Sequence, residues 1–307
     1  SVNTSLEQRG SEYGQRLFAN AGLQQAWQLS DEWSVNTSLD STSTIRKPGD
    51  TPFSVTLPSA SASTGAFMAV SLGATYQQEK WSWTSRLEHR TSDTGDKWGL
   101  YSGAAGEARP GLGLSARLQV FETQAASGAD GTTAELRLGV VRRPFARRWT
   151  VLNRTDLSVE TQDGGTSDYD NWKFVNNALV NYRISGGQVS TFYGAKYARD
   201  TIDGSDYSAF TDSVGIELRR DISKRWDVGV RASTLHGWNN NHYEYSWGAS
   251  VGFNPATNIW LSAGYNRAGY EDDDFDLAGF TAEGPYLQLR FKFDQESVRE
   301  TVSWFNR

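Results

Sequence analysis

Tryptophan opens strand after strand of this 307-residue chain, each time after a short polar turn. Trp33 follows Ser30-Asp31-Glu32, Trp81 follows Gln78-Glu79-Lys80, Trp149 follows Ala146-Arg147-Arg148, and Trp226 follows Ser223-Lys224-Arg225. Trp260 follows a slightly shifted turn that ends in Ile259. After each tryptophan, apolar and polar residues alternate for about ten positions, the length at which a tilted strand crosses a bilayer. A soluble sandwich has no reason to place an indole at the same point of successive hairpins. A membrane barrel does, because amphipathic rings gather at the membrane–water boundary.

Composition decides less than it first suggests. Hydrophobic residues make up 37% of the chain, and no stretch approaches the run of about 18–20 apolar residues that a membrane helix requires. A barrel escapes that test, since only alternate residues of each strand face lipid. The chain has no cysteine, which excludes disulfide scaffolds and thiolate metal sites. A net charge of −6 without any basic cluster argues against nucleic acid.

Period-two patterning recurs along the whole length. Met68, Val70 and Leu72 alternate with Ala69, Ser71 and Gly73; Val214, Ile216 and Leu218 alternate with Gly215, Glu217 and Arg219; Leu287 and Leu289 alternate with Gln288 and Arg290. Sixteen strands follow, the first near 2–8 and the last near 284–293. Short turns lie near 29–32, 78–80, 107–111, 143–148, 184–187, 221–225 and 254–257. Longer polar loops lie near 9–14, 45–64, 90–96, 124–131, 161–170, 200–206, 236–242 and 271–283. The fold expected is all-β: a transmembrane antiparallel barrel over 1–293, with short periplasmic turns and longer extracellular loops, in the outer membrane of a Gram-negative bacterium. In the tail 294–307 the alternation stops, and Val298, Val302 and Phe305 recur at helix-like spacing, so a short periplasmic helix is expected. No secretion signal precedes Ser1, so the chain reads as the mature or C-terminal part of a longer precursor.

The polar strand faces carry charges of both signs. Expected in the lumen are Arg86, Glu88, Arg117, Glu135, Arg137, Arg154, Asp156, Lys173, Lys196, Glu217, Arg219, Asp227, Arg231, Glu244, Arg290 and Lys292. Interspersed signs favour cross-strand ion pairs over a selectivity ring of a single sign. Trp33, Trp81, Trp149, Trp226 and Trp260 are expected at the membrane interface. No enzyme is expected: His89, His236 and His242 have no nucleophile in a recognisable setting beside them, and their spacing matches no zinc site. The acidic run Glu271, Asp272, Asp273, Asp274 and Asp276 lacks the spacing of a calcium loop and reads as a solvated, self-repelling segment. Neither cofactor nor metal is called for.

Several stretches carry a family resemblance: RLFANAGLQQAWQL (16–29), WSVNTSLD (33–40), AVSLGATYQQEKWSW (69–83), DKWGLYSG (96–103), YGAKYARDTIDG (193–204), RWDVGVRASTLHGWN (225–239), SWGASVGFNPATNIWLSAGYN (246–266) and GPYLQLRFKFDQESVRE (284–300). The chain resembles the C-terminal barrel region of very large Gram-negative surface proteins whose upstream parts are tandem Ig-like repeats. The resemblance implies a barrel that anchors or exports a surface-exposed polypeptide and implies no catalytic residue. Its partners would be outer-membrane lipid and lipopolysaccharide, the barrel-assembly machinery, and the upstream repeats or other surface proteins. A porin or export channel for solutes or a polymer is the alternative.

Overall fold

A computed structural model describes residues 1–11, 14–46, 66–144, 147–165, 168–256, 259–278 and 281–291. Its strands are β1 (Val2–Ser11), β2 (Gly14–Gln28), β3 (Trp33–Arg46), β4 (Phe67–Gln77), β5 (Trp81–Ser92), β6 (Gly95–Arg109), β7 (Leu112–Ala125) and β8 (Asp130–Arg142). They continue as β9 (Trp149–Asp163), β10 (Tyr169–Ile184), β11 (Gly187–Ile202), β12 (Ser205–Asp221), β13 (Trp226–Gly237), β14 (His242–Ala256), β15 (Ile259–Ala268) and β16 (Gly284–Phe291). All sixteen lie in one antiparallel sheet in the order of the sequence. The tail 294–307 lies outside the described residues.

Burial runs inside out relative to a soluble protein. Val230 is 55% exposed and Leu287 72%, whereas Ser213 is 1% exposed and Asn266 0%. Apolar side chains therefore face outward, and small or polar ones face a shared interior. In water such an apolar exterior is a liability; in lipid it is the solvated surface. The curl of the sheet is visible in contacts that cross it: the segment after β15 bonds to residues of β10, β11 and β12, three to five strands back along the ladder. The chain is an all-β antiparallel barrel of the outer-membrane type.

Two rims close the hairpins differently, and one expectation fails there. The spans 90–96 and 200–206, read above as longer loops, are two-residue turns, because β5–β6 and β11–β12 stay paired well beyond the apolar band. At the second turn Asp203 (φ 48°) and Gly204 (φ 78°) both take left-handed backbone, the conformation that an Asp-Gly pair brings to a tight hairpin. Asp206 then caps the projecting hairpin, accepting hydrogen bonds from the Arg199 guanidinium at 2.8 Å and the Thr201 hydroxyl at 2.6 Å.

Candidate functional site in the barrel lumen

The site is built from the segment that joins β15 to β16. A bulge in β15 at Arg267, where Trp247 pairs with Ala268 but Gly248 pairs with Asn266, interrupts the regular ladder just before the chain turns inward. The neck of the segment is zipped: the Tyr270 amide donates to the Thr281 carbonyl at 3.2 Å, and the Thr281 hydroxyl donates to the Tyr270 carbonyl at 2.8 Å. Two wall residues hold the returning strand, since the Ser246 hydroxyl donates to the Thr281 carbonyl and the Asn266 amide to the Ala282 carbonyl, each at 2.8 Å. The Tyr270 hydroxyl reaches Ser213 at 2.8 Å and Ser233 at 3.1 Å on the interior wall.

Beyond the neck, a 3-10 segment, Asp273–Ala278, kinks at Phe275 (φ −104°, ψ 46°) and drops that ring against the wall. Phe275 is 2% exposed and packs with Val175 of β10 and Phe192 of β11. Its ring meets that of Phe192 edge-on, with centroids 6.3 Å apart. Gly194 makes room for it, because a Cβ there would collide with the Phe275 ring. Two carboxylates of the acidic run are thus docked on the wall, while Glu271 and Asp273 stay exposed. Asp272 accepts from the Lys196 ammonium at 2.6 Å; Asp274 accepts from Lys173 at 2.8 Å and lies 3.2 Å from Lys196. The Asn177 side-chain amide donates to the Asp274 carbonyl at 2.8 Å. Partial burial raises the Asp274 carboxyl, but the ammonium groups of Lys173 and Lys196 outweigh it and hold this acid below the ordinary carboxylate range. Carboxylates that repel one another in water are separated here by two lysines of the wall.

The remaining charges expected in the lumen can be placed by register. Arg86, Glu88, Arg117, Glu135, Arg137, Arg154 and Asp156 occupy one sheet face, linked strand to strand through the pairs 86–101, 101–119, 117–137 and 137–156. Lys173, Lys196, Glu217, Arg219, Asp227, Arg231 and Glu244 share that face. Arg290 pairs in backbone register with Trp260, and Lys292 lies outside the described residues. Among the described residues these charges form local networks and no continuous ring. Arg86 pairs with Glu88 at 2.8 Å; Asp156 is shared by Arg137 and Arg154, the latter at 2.7 Å. Arg219 reaches Glu217 at 2.8 Å and the Ser250 hydroxyl at 3.0 Å, and its Nε donates to Asp227 at 2.9 Å.

Trp260 is a correction. It sits on the interior face, its indole N–H donating to Asp227 at 2.8 Å while the Arg219 guanidinium lies 4.6 Å above the ring. A buried carboxylate needs donors, and this indole supplies one; position near a turn did not fix which face it took. Trp33, Trp81, Trp149 and Trp226 occupy the opposite, apolar face at one rim, with Trp33 against Tyr76 and Trp83, and Trp226 against Phe253.

The solved structures share this architecture at low similarity. A bacterial polysaccharide outer-membrane secretin aligns over 95% of this chain and 96% of its own, at 12% identity and a TM-score of 0.40. The ferric citrate transporter FecA, in its unliganded form, aligns over 86% of this chain and 50% of its own, at 7% identity and a TM-score of 0.45. BamA from Haemophilus ducreyi lacking POTRA domains 1–3 aligns over 94% and 70%, at 10% identity and a TM-score of 0.40. No family model matches the chain, and no curated protein matches it. At these identities, function has to be read from the chain's own residues.

Two features escaped the sequence reading. The inward loop is one; its only local signal was a lone Phe275 inside an acidic run, where a solvated loop has no use for a large apolar ring. The other is a second aromatic belt at the opposite rim: Trp98 stacked on His89 at 4.1 Å, Trp172 against Tyr197 at 5.4 Å, and His236 between Tyr243 and Trp238. Trp172 and Tyr182 share the outward face of β10. Their separation along the strand is about 33 Å at ~3.3 Å per residue, or about 25 Å once a barrel tilt of ~40° is applied, which is the height of an outer-membrane apolar band.

Proposed function

We propose that this chain is an outer-membrane barrel that anchors a larger cell-surface polypeptide, with the lumen narrowed by the barrel's own last loop. The observation that carries this reading is the docking of Phe275, Asp272 and Asp274 against β10 and β11, which commits one side of the lumen to internal contacts. The resemblance to the barrel region of large surface proteins with Ig-like repeats supports the same reading. Outer-membrane lipid would meet the apolar band and the two aromatic belts, and the assembly machinery would insert the barrel.

An epitope-tagged passenger fused upstream of Ser1 tests it in intact Gram-negative cells. The passenger should fractionate with the outer membrane and be cleaved by external protease. A barrel that inserts normally but leaves every passenger in the periplasm would defeat the anchoring role.

A channel is the second reading, favoured by the cleft of about 290 Å³ that remains between the inner loop and β7–β10. A steady high conductance of the intact protein, with no passenger effect, would establish it.

A further inference from the structure

We infer that the rim of short turns, along the arc from β6 to β13, binds anionic phospholipid of the inner leaflet through its arginines. Register sets three of them on the lipid-facing side. Arg142 lies opposite Leu112 and Val151, and its guanidinium stands 5.4 Å from the ring of the outward Trp149. Arg109 also pairs with Leu112, and Arg220 pairs with Val228, two residues from the outward Trp226. Arg147 and Arg148, in the turn before β9, and Arg225, in the turn before β13, are exposed at the same rim. The two acids of this arc belong to the interior face, where Glu107 pairs with Gly113 and Asp221 with Asp227. Among the described residues no carboxylate lies within ion-pair distance of any of these six arginines. Arg220 gives one N–H to the Ser185 carbonyl at 2.9 Å, and a guanidinium has others to offer.

The far rim carries the opposite sign on its outward side. There Glu122 lies opposite Trp98, Asp130 opposite Asp163, and Asp170 two residues before Trp172, while Arg199 is held by Asp206. The positive arc is therefore a property of one rim, in a chain whose net charge is −6. A guanidinium takes phosphate oxygens through two parallel donors and stacks well on an indole. At the depth where tryptophans mark the membrane–water boundary, lipid phosphates are the anions within reach. One basic side chain at a charged bilayer surface favours the anionic lipid by roughly fivefold. This deepens the lipid contact proposed above, and it rests on the barrel lying in a bilayer, whether or not a passenger is attached.

Spin-labelled lipid tests the inference. The refolded full chain is placed in phosphatidylcholine vesicles with a trace of spin-labelled phosphatidylglycerol or phosphatidylcholine, and the motionally restricted fraction of each label is measured. Phosphatidylglycerol should be enriched in the boundary shell by about twofold on average, since most of that shell touches no arginine. Sodium chloride at about 1 M should remove the enrichment by screening. Replacing Arg142, Arg147 and Arg148 together by serine should remove at least about half of the excess. Lysine at the same three positions should keep most of it, and Arg86→Ser, inside the lumen, should leave it unchanged. Heat-modifiable gel migration shows whether each variant is folded; should the serine variant fail to fold, the salt series and the lysine variant decide. Equal restriction of the two lipids overturns the inference, as does a preference that survives salt or the triple serine change, or that Arg86→Ser lowers as much. Displacement by inorganic phosphate beyond that by chloride of equal ionic strength overturns it too, by assigning the arginines to free phosphate.

Discussion

The wall from β10 to β13 and the wall from β5 to β9 have the same alternating sequence grammar and end in different states. On the first, Val175, Asn177, Phe192 and Ser213 are buried beneath the inner loop. On the second, Arg86, Arg117 and Arg137 remain exposed to the lumen. Alternation fixes which face a residue occupies, and a single loop decides whether that face is wet. The two walls also use charge differently: lysines on the covered wall are bound by loop carboxylates, while arginines on the open wall pair with acids of the wall itself, Arg86 with Glu88 and Arg137 and Arg154 with Asp156.

The sharpest way to break this contrast is to undock the loop. Phe275→Ala should cost about 3–5 kcal/mol of docking and packing stability, as truncation of a buried aromatic does, and should raise single-channel conductance in planar bilayers. Gly194→Val should act in the same direction by removing the space the ring fills. Unchanged conductance and urea midpoint in both variants would mean that the loop is not what covers β10 and β11.

The outward face is the next test. Val230→Arg, near the middle of β13, should cost about 2–4 kcal/mol when folding is measured in lipid vesicles. Arg86→Ser on the open interior wall should cost less than about 1 kcal/mol, since an exposed ion pair contributes little. A reversed order would show the two faces to be inverted.

Smaller still is the loop's electrostatic hold. Lys196→Met should destabilise by about 1–3 kcal/mol, because it strips partly buried carboxylates of a charged donor. Asp272→Asn combined with it should restore part of that loss; strict additivity would show that the pair does not interact.

The smallest effect is that of pH. The Asp274 carboxyl is held below its ordinary value, so its contribution to docking is fully present above about pH 4, the unfolded carboxylate value, and is lost as pH falls through the lower folded value. Conductance should therefore stay constant from pH 7 to about pH 5 and rise only below about pH 4. Opening between pH 7 and 5 would assign the hold to another group.

The strands, their order and the inward or outward sense of nearly every residue were legible in the sequence, because side-chain direction in a strand alternates with a period of two and the membrane enforces it on each hairpin separately. The four outward tryptophans of the turn rim were legible for the same reason. Trp260 was not: its face depended on a carboxylate, Asp227, that comes beside it only when β13 and β15 lie on either side of β14. The inner loop was not legible either. An acidic run reads as solvated whenever its counter-charges are invisible, and Lys173 and Lys196 lie 101 and 76 residues before the carboxylates they bind, on strands that only the curl of the sheet brings underneath. Local periodicity settled the wall of this protein; what lies within the wall was decided by charges and rings far apart in the chain, which meet only because the sheet curls around them.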